Sequence, residues 1–302
     1  VFTVVEDITT EEDKTMEELN IVDDDDIDDV IHELTSDQMR EMAKKHRKPK
    51  VRTDLPPRDM TPVKKPHLRD LVDIHPMTEM QSNYFAGYED NPDKHFLVIG
   101  SAGTGKTFLT CNLGIKEILT KGSVYEKLII VRSAVESGAE LGFRPGTVQE
   151  KMADFEEPYR EIFAELFDRS TAYEHLKEAG IVSFGSTSFL RGRSINNTIV
   201  VVDEIQNMNF GELDTVITRV GYNSKIIFCG DYRQNDLINK RNTKSGMHDF
   251  VNILDRMKHS FLKFEFGHED IVRSGLVKDY IITKEKYQEQ QDVAAQFGTI
   301  KG

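Results

Sequence analysis

An α/β fold with a parallel sheet covered by helices on both faces is predicted for this 302-residue chain by three features. The glycine-rich stretch Gly100-Ser101-Ala102-Gly103-Thr104-Gly105-Lys106-Thr107 follows the apolar run Phe96–Ile99 and precedes apolar residues at helical spacing. A second uninterrupted apolar run, Ile199–Val202, ends in Asp203-Glu204. Further short apolar runs alternate with helical patterns, as in a sheet whose strands are buried on both sides.

Residues 1–65 lack sustained periodicity, apart from a short charged helical pattern over Asp37–Lys45. Their acidic run Asp23–Asp29 is followed by Lys44, Lys45, Arg47, Lys48, Lys50 and Arg52. So little apolar surface cannot offset the entropy of ordering, and the stretch reads as a flexible acidic tail and linker, punctuated by Pro56-Pro57, Pro62 and Pro66. An acidic tail can also occupy a basic groove in cis. Neighbouring aspartates on a flexible strand do not converge on a metal. The net charge of -13 argues against a simple basic nucleic-acid-coating protein. The two cysteines, Cys111 and Cys229, lack metal-ligand spacing, which suits a reducing compartment. No apolar run is long enough to span a bilayer, no signal pattern opens the chain, and a cytoplasmic protein is expected.

Thr78 reads as the N-cap of a helix running into Tyr84 and Phe85, just ahead of the first strand. In the glycine-rich turn, successive backbone N–H groups must curl round a β-phosphate without obstruction from side chains. Lys106 would neutralise β/γ oxygens, and Thr107 would offer its hydroxyl to Mg²⁺ at the positive end of the following helix. Gly100, Ser101, Ala102, Gly103, Thr104, Gly105, Lys106, Thr107 and Phe108 thus form the expected nucleotide cradle. The helix after it ends near Gly122, and Leu128–Val131 is the next strand.

Loops carrying Arg132 and Arg144 follow. Thr147 is expected to cap a helix through Met152, Phe155 and Tyr159, with Pro158 kinking or dividing it. Aromatic residues from here to Tyr173 suit either base stacking or a core, and at helical spacing the core is the commoner outcome. After the strand Ile181–Phe184, Arg191-Gly192-Arg193 suits phosphate contact or an ordinary solvated turn. Asp203, at a strand's carboxyl end, would hold Mg²⁺, and Glu204 would take a proton from an attacking water. A helix over Gly211–Val220 leads to the strand Lys225–Cys229, after which Gln234 is placed to sense a γ-phosphate. A helix over Met247–Met257, a strand over Phe261–Phe266 and a helix beginning near His268–Asp270 complete the domain. Arg273 falls early in that last helix, and the polar tail after residue 284 is expected to fray.

Over residues 76–283 the chain resembles the PhoH family of ATPases. The specific stretches are Arg132-Ser133-Ala134-Val135-Glu136, Leu141-Gly142-Phe143-Arg144-Pro145-Gly146, Phe189-Leu190-Arg191-Gly192-Arg193, Asp203-Glu204-Ile205-Gln206-Asn207 and Ile271-Val272-Arg273. One departure is Ile205, where the family usually has Ala. The resemblance implies a P-loop NTPase sheet of the RecA-like kind, similar to a lone first core domain of a superfamily 1 helicase. It further implies Mg²⁺-dependent ATP hydrolysis, a homo-oligomer such as a hexamer, single-stranded RNA or DNA as partner, a link to RNA metabolism and phosphate starvation, and a bacteriophage origin with action in the host cytoplasm. Gln81 matches the glutamine that reads adenine in such helicases, the alternative being an exposed glutamine on a helix. No nuclease domain of the PIN type fits within residues 1–65. A catalytic arginine is expected from a neighbouring subunit, with Arg273 or Arg193 as candidates; Arg132, Arg144, Arg191 and Arg193 are candidates for nucleic-acid or trans contacts. The rival reading is an ATP-gated nucleic-acid-binding scaffold that turns over slowly, with a kinase as a weaker rival.

Overall fold

The structure, a computed structural model, describes residues 66–133, 148–190, 192, 194–231 and 246–298. The expectations placed on the 1–65 tail, the 134–147 loop, Arg144, Arg191, Arg193 and Gln234 lie outside these residues.

Six parallel strands form one sheet: β1 (His95–Gly100), β2 (Lys127–Arg132), β3 (Val182–Ser186), β4 (Thr198–Val202), β5 (Lys225–Gly230) and β6 (Phe261–Phe266). Their spatial order is β3-β2-β4-β5-β1-β6, so β5 lies between the strand that leads to the glycine-rich turn and the strand that ends in Asp203. β4 is buried at every position, which is why its sequence is a continuous apolar run without alternation.

Successive side chains still point to opposite faces, and this divides the apolar residues into two cores. Phe96, Val98, Ile199, Val201, Ile227 and Cys229 join one. Leu97, Ile99, Val200, Val202, Ile226 and Phe228 join the other. The first core is covered by α1 (Glu79–Asp90), α2 (Lys106–Leu119), α3 (Val148–Leu166) and α4 (Ala172–Glu178). The second is covered by α5 (Phe210–Ile217) and α6 (Met247–Leu254). Both cysteines are buried free thiols. Among the described residues no helix is long and apolar enough to cross a membrane.

Three expectations are corrected. Pro158 does not divide α3, which continues on both sides of it. Proline costs a helix the bond its N–H would make one turn back, but the flanking Phe155, Tyr159 and Phe163 are all buried and hold the turn by packing. These aromatics are core. Next, His268–Asp270 is only a single 3₁₀ turn, and the last helix, α7, begins at Gly275. Arg273 therefore precedes that helix, in the link that also carries Val272. Lastly, α7 runs unbroken from Gly275 to Gly298, past the point where fraying was expected. It is anchored there by Glu285, which is only 5% exposed.

Candidate active site

Gly100, the last residue of β1, has φ +139°, and a Cβ there would sit 2.1 Å from the carbonyl oxygen of Phe266. Only glycine permits that approach to β6. Gly103 and Gly105 take left-handed φ values of +74° and +83°, which curl the turn back on itself before Lys106 opens α2. Lys106 Nζ donates to the carbonyls of Gly100 at 2.8 Å and Ser101 at 2.7 Å, within the curl. Burial lowers its pKa, while the charges of Asp231, Asp203 and Glu204 pull it back up.

With β5 interposed, β1 and β4 are two strand spacings apart, about 10 Å. The gap is bridged by the first turn of α2, which passes over the carboxyl end of the sheet. There the Thr107 hydroxyl donates to Asp203 Oδ1 at 2.8 Å. The other carboxylate oxygen, Oδ2, accepts from the Tyr159 hydroxyl at 2.8 Å. Asp203 itself is 6% exposed and its N–H continues the β4–β2 ladder through the Val131 carbonyl.

Glu204 turns out of the strand with φ 56° and ψ 45°, a conformation that costs a non-glycine residue about 1–3 kcal/mol. The turn aims its carboxylate beside that of Asp203. Burial and the Asp203 charge raise the Glu204 pKa, opposed by Arg132, Gln206 and Lys106. Gln206 donates its amide to Glu204 Oε2 and accepts the Asp231 N–H on its own oxygen at 3.0 Å, so it ties the acid to the end of β5.

One cavity of about 730 Å³ is lined by Gly103, Gly105, Lys106, Thr107 and Phe108 of the turn, by Asp203 and Glu204, and by Arg132 and Arg273. Gln81 also faces it but is almost fully buried: its Nε2 donates to the Thr104 carbonyl at 3.1 Å and its Oε1 accepts from the Met77 N–H at 2.7 Å. The exposed-glutamine alternative is thereby excluded, and the amide holds the turn from behind. Arg132 stands at the end of β2 with its guanidinium 5.5 Å from the centre of the Phe155 ring. Arg273 lies against its own chain's turn, since a Cβ on Gly103 would meet its Cγ at 2.8 Å.

Thr107 Oγ1 and Asp203 Oδ1 form an oxygen pair of the kind Mg²⁺ takes when phosphates and water complete its shell. Among the described residues, no group of three or more His, Cys, Asp or Glu is placed to hold a metal unaided.

Two residues at the site were not assigned roles by sequence reasoning, Tyr159 and Gln206. A tyrosine on an apolar helical stripe needs a partner for its hydroxyl, and that was the available signal. The partner's identity was not available, because Asp203 lies 44 positions away.

A parallel sheet with a glycine-rich turn on β1, Lys-Thr opening the next helix and Asp-Glu ending a buried strand defines a P-loop NTPase. The family model described as PhoH-like protein matches residues 73–284, and the chain belongs to that family. It is 32% identical over 218 residues to the PhoH-like protein of Mycobacterium leprae, covering 72% of this chain and 60% of that one. It is 36% identical over 188 residues to the PhoH-like protein of Synechocystis, covering 62% and 56%. With Protein PhoH of Escherichia coli K12 the identity is 30% over 211 residues, covering 69% and 57%. The chain thus spans little more than half the length of these relatives. A solved structure of the large terminase from bacteriophage D6E superposes with a TM-score of 0.41 at 13% identity, covering 71% of this chain and 50% of that one.

Proposed function

We propose that the chain is an Mg²⁺-dependent ATP hydrolase that acts as an oligomeric, helicase-like motor or remodeller on single-stranded RNA or DNA. The observation that carries the hydrolase reading is the convergence of Lys106, Thr107, Asp203 and Glu204 on one cavity at the carboxyl end of the sheet.

Mg²⁺ bound with ATP would be held by Thr107 and Asp203 and would neutralise phosphate charge. The turn's backbone would cradle the phosphates, and Lys106 would exchange its carbonyl partners for β/γ oxygens. Glu204, with a pKa raised by burial and by Asp203, is suited to accept a proton from a water attacking in line. Gln206 would keep that carboxylate aimed. The position of Arg273 against Gly103 supports contact with nucleotide bound to its own chain, and so favours a cis role over service to a neighbour. The motor reading rests on family membership.

Steady-state ATPase rates with and without single-stranded RNA or DNA, across protein concentration, test this reading. Rates that rise with both nucleic acid and protein concentration support it. A flat, near-background rate with intact nucleotide binding would replace it by the slow scaffold.

A further inference from the structure

Several polar contacts around the phosphate turn converge on Ser101. Its N–H donates to the Phe266 carbonyl at 3.3 Å, and its own carbonyl receives Lys106 Nζ at 2.7 Å. Its hydroxyl, pointing the other way, donates to Glu285 Oε2 at 3.2 Å. Ser101 is 1% exposed and Glu285 5%, although Lys284, Lys286 and Tyr287 beside it on α7 are exposed. The same Glu285 oxygen also contacts His268 Nε2, from the turn after β6.

Two further contacts bind the same stretch of chain to the turn. The Val272 N–H donates to the Gly103 carbonyl at 3.1 Å, and Ile281 Cδ1 lies 3.5 Å from where a Cβ on Gly103 would stand. Residues 266–285 therefore pack along the turn, with Val272 and Arg273 of this stretch reaching the cavity and Glu285 meeting Ser101. A carboxylate is costly to bury and stays buried only where its partners require it. Its partners here include a hydroxyl of the turn and a histidine, 184 and 17 positions away. Fixing the Ser101 side chain outward also fixes the peptide whose carbonyl seats Lys106. The matched family region ends at residue 284, one position short of this acid.

We propose that Glu285 is a positioning residue for the phosphate turn, and that through it α7 is a strap linked to nucleotide binding. The docked helix holds the turn in its anion-binding form. By reciprocity, bound nucleotide holds the helix. The proposal rests on the nucleotide-site reading above.

The test is equilibrium titration of the full chain with a fluorescent ADP in the presence of Mg²⁺, for wild type, Glu285→Ala, Glu285→Gln and Ser101→Ala, with melting temperatures in parallel. Glu285→Ala should weaken binding about tenfold, the scale of a lost hydrogen bond to a charged group, and Glu285→Gln should recover part of the loss. Ser101→Ala removes only the hydroxyl, should show a similar loss, and decides the matter if Glu285→Ala does not fold. In wild type, ADP should slow amide exchange along α7. Wild-type affinity in Ser101→Ala and Glu285→Ala, with or without a lower melting temperature, would reduce Glu285 to a packing role and overturn the proposal. A wild type that binds no nucleotide overturns this inference and the nucleotide site together, whereas binding that the substitutions leave unchanged overturns this inference alone.

Discussion

The hydroxyl of Tyr159 donates to Asp203 Oδ2 at 2.8 Å, in the lining of the cavity and opposite the oxygen that faces Thr107. The two carboxylate oxygens thus have separate duties. One is held by a helix on the covering face, and the other points toward the position expected for the metal. Tyr159 is 1% exposed and shares the cavity wall with Asp203, so loss of its hydroxyl leaves Oδ2 without this protein donor.

Tyr159→Phe keeps the ring and removes that bond. We expect the Mg²⁺ concentration for half-maximal ATPase activity to rise about tenfold, with a stability loss of about 1–3 kcal/mol from the orphaned carboxylate oxygen. Unchanged Mg²⁺ dependence in a folded variant would show that Asp203 needs no orientation from α3.

Glu204→Gln should retain nucleotide binding and lose turnover by about 10²- to 10⁴-fold, the range for a general base. It should also melt at a higher temperature than wild type at neutral pH. The reason is that the ionised Glu204 is a half-buried charge beside Asp203, with its pKa raised by both, so folding at pH above that value pays for its ionisation. A variant with wild-type turnover would remove Glu204 from the mechanism.

At the opposite end of the sheet, Lys225 Nζ is buried against both Glu117 oxygens, at 3.0 and 2.8 Å, and 4.1 Å from the centre of the Tyr88 ring. Burial lowers the lysine pKa and Glu117 raises it back. Glu117→Ala strands that charge and should cost about 3–5 kcal/mol in denaturant unfolding, whereas Lys225→Met should cost far less. Equal losses would mean that the pair acts only by packing.

His95 opens β1 and accepts the Ile226 N–H on Nδ1 at 3.3 Å. Burial, then the Lys225 charge, lowers its pKa below the ordinary 6.5. A histidine depressed in the folded state takes its proton more readily when unfolded. Stability from this group is therefore complete above pH 6.5 and is lost as pH falls through 6.5 toward the folded value. His95→Asn keeps an acceptor and removes the titration. Between about pH 5 and pH 7 its unfolding midpoint should fall less steeply than that of wild type, and parallel curves would exclude His95 as the source.

The strands were legible because a sheet buried on both faces demands apolar runs: Phe96–Ile99, Leu128–Val131 and Ile199–Val202 all lie in strands. The P-loop class was legible too, since Gly100, Gly103 and Gly105 meet backbone constraints that no other residue meets so cheaply. Helix limits were less so. Pro158 reads as a breaker until the aromatic packing around it is known, and the polar stretch after 284 reads as a tail until Glu285 is seen to be buried.

What the sequence by itself determined, then, was local: which runs become strands, where the chain can curl round an anion, and which residue types flank that curl. Periodicity and glycine placement act over a few residues and leave a direct trace in the order of the chain. Only the tertiary structure decided which distant groups meet. The insertion of β5 between β1 and β4, the Tyr159 bond to Asp203, the Gln206 tie to Asp231 and the reach of Glu285 to Ser101 depend on strand order and helix docking. Those are set by how two cores pack as wholes, and residues tens to hundreds of positions apart carry no local mark of that packing.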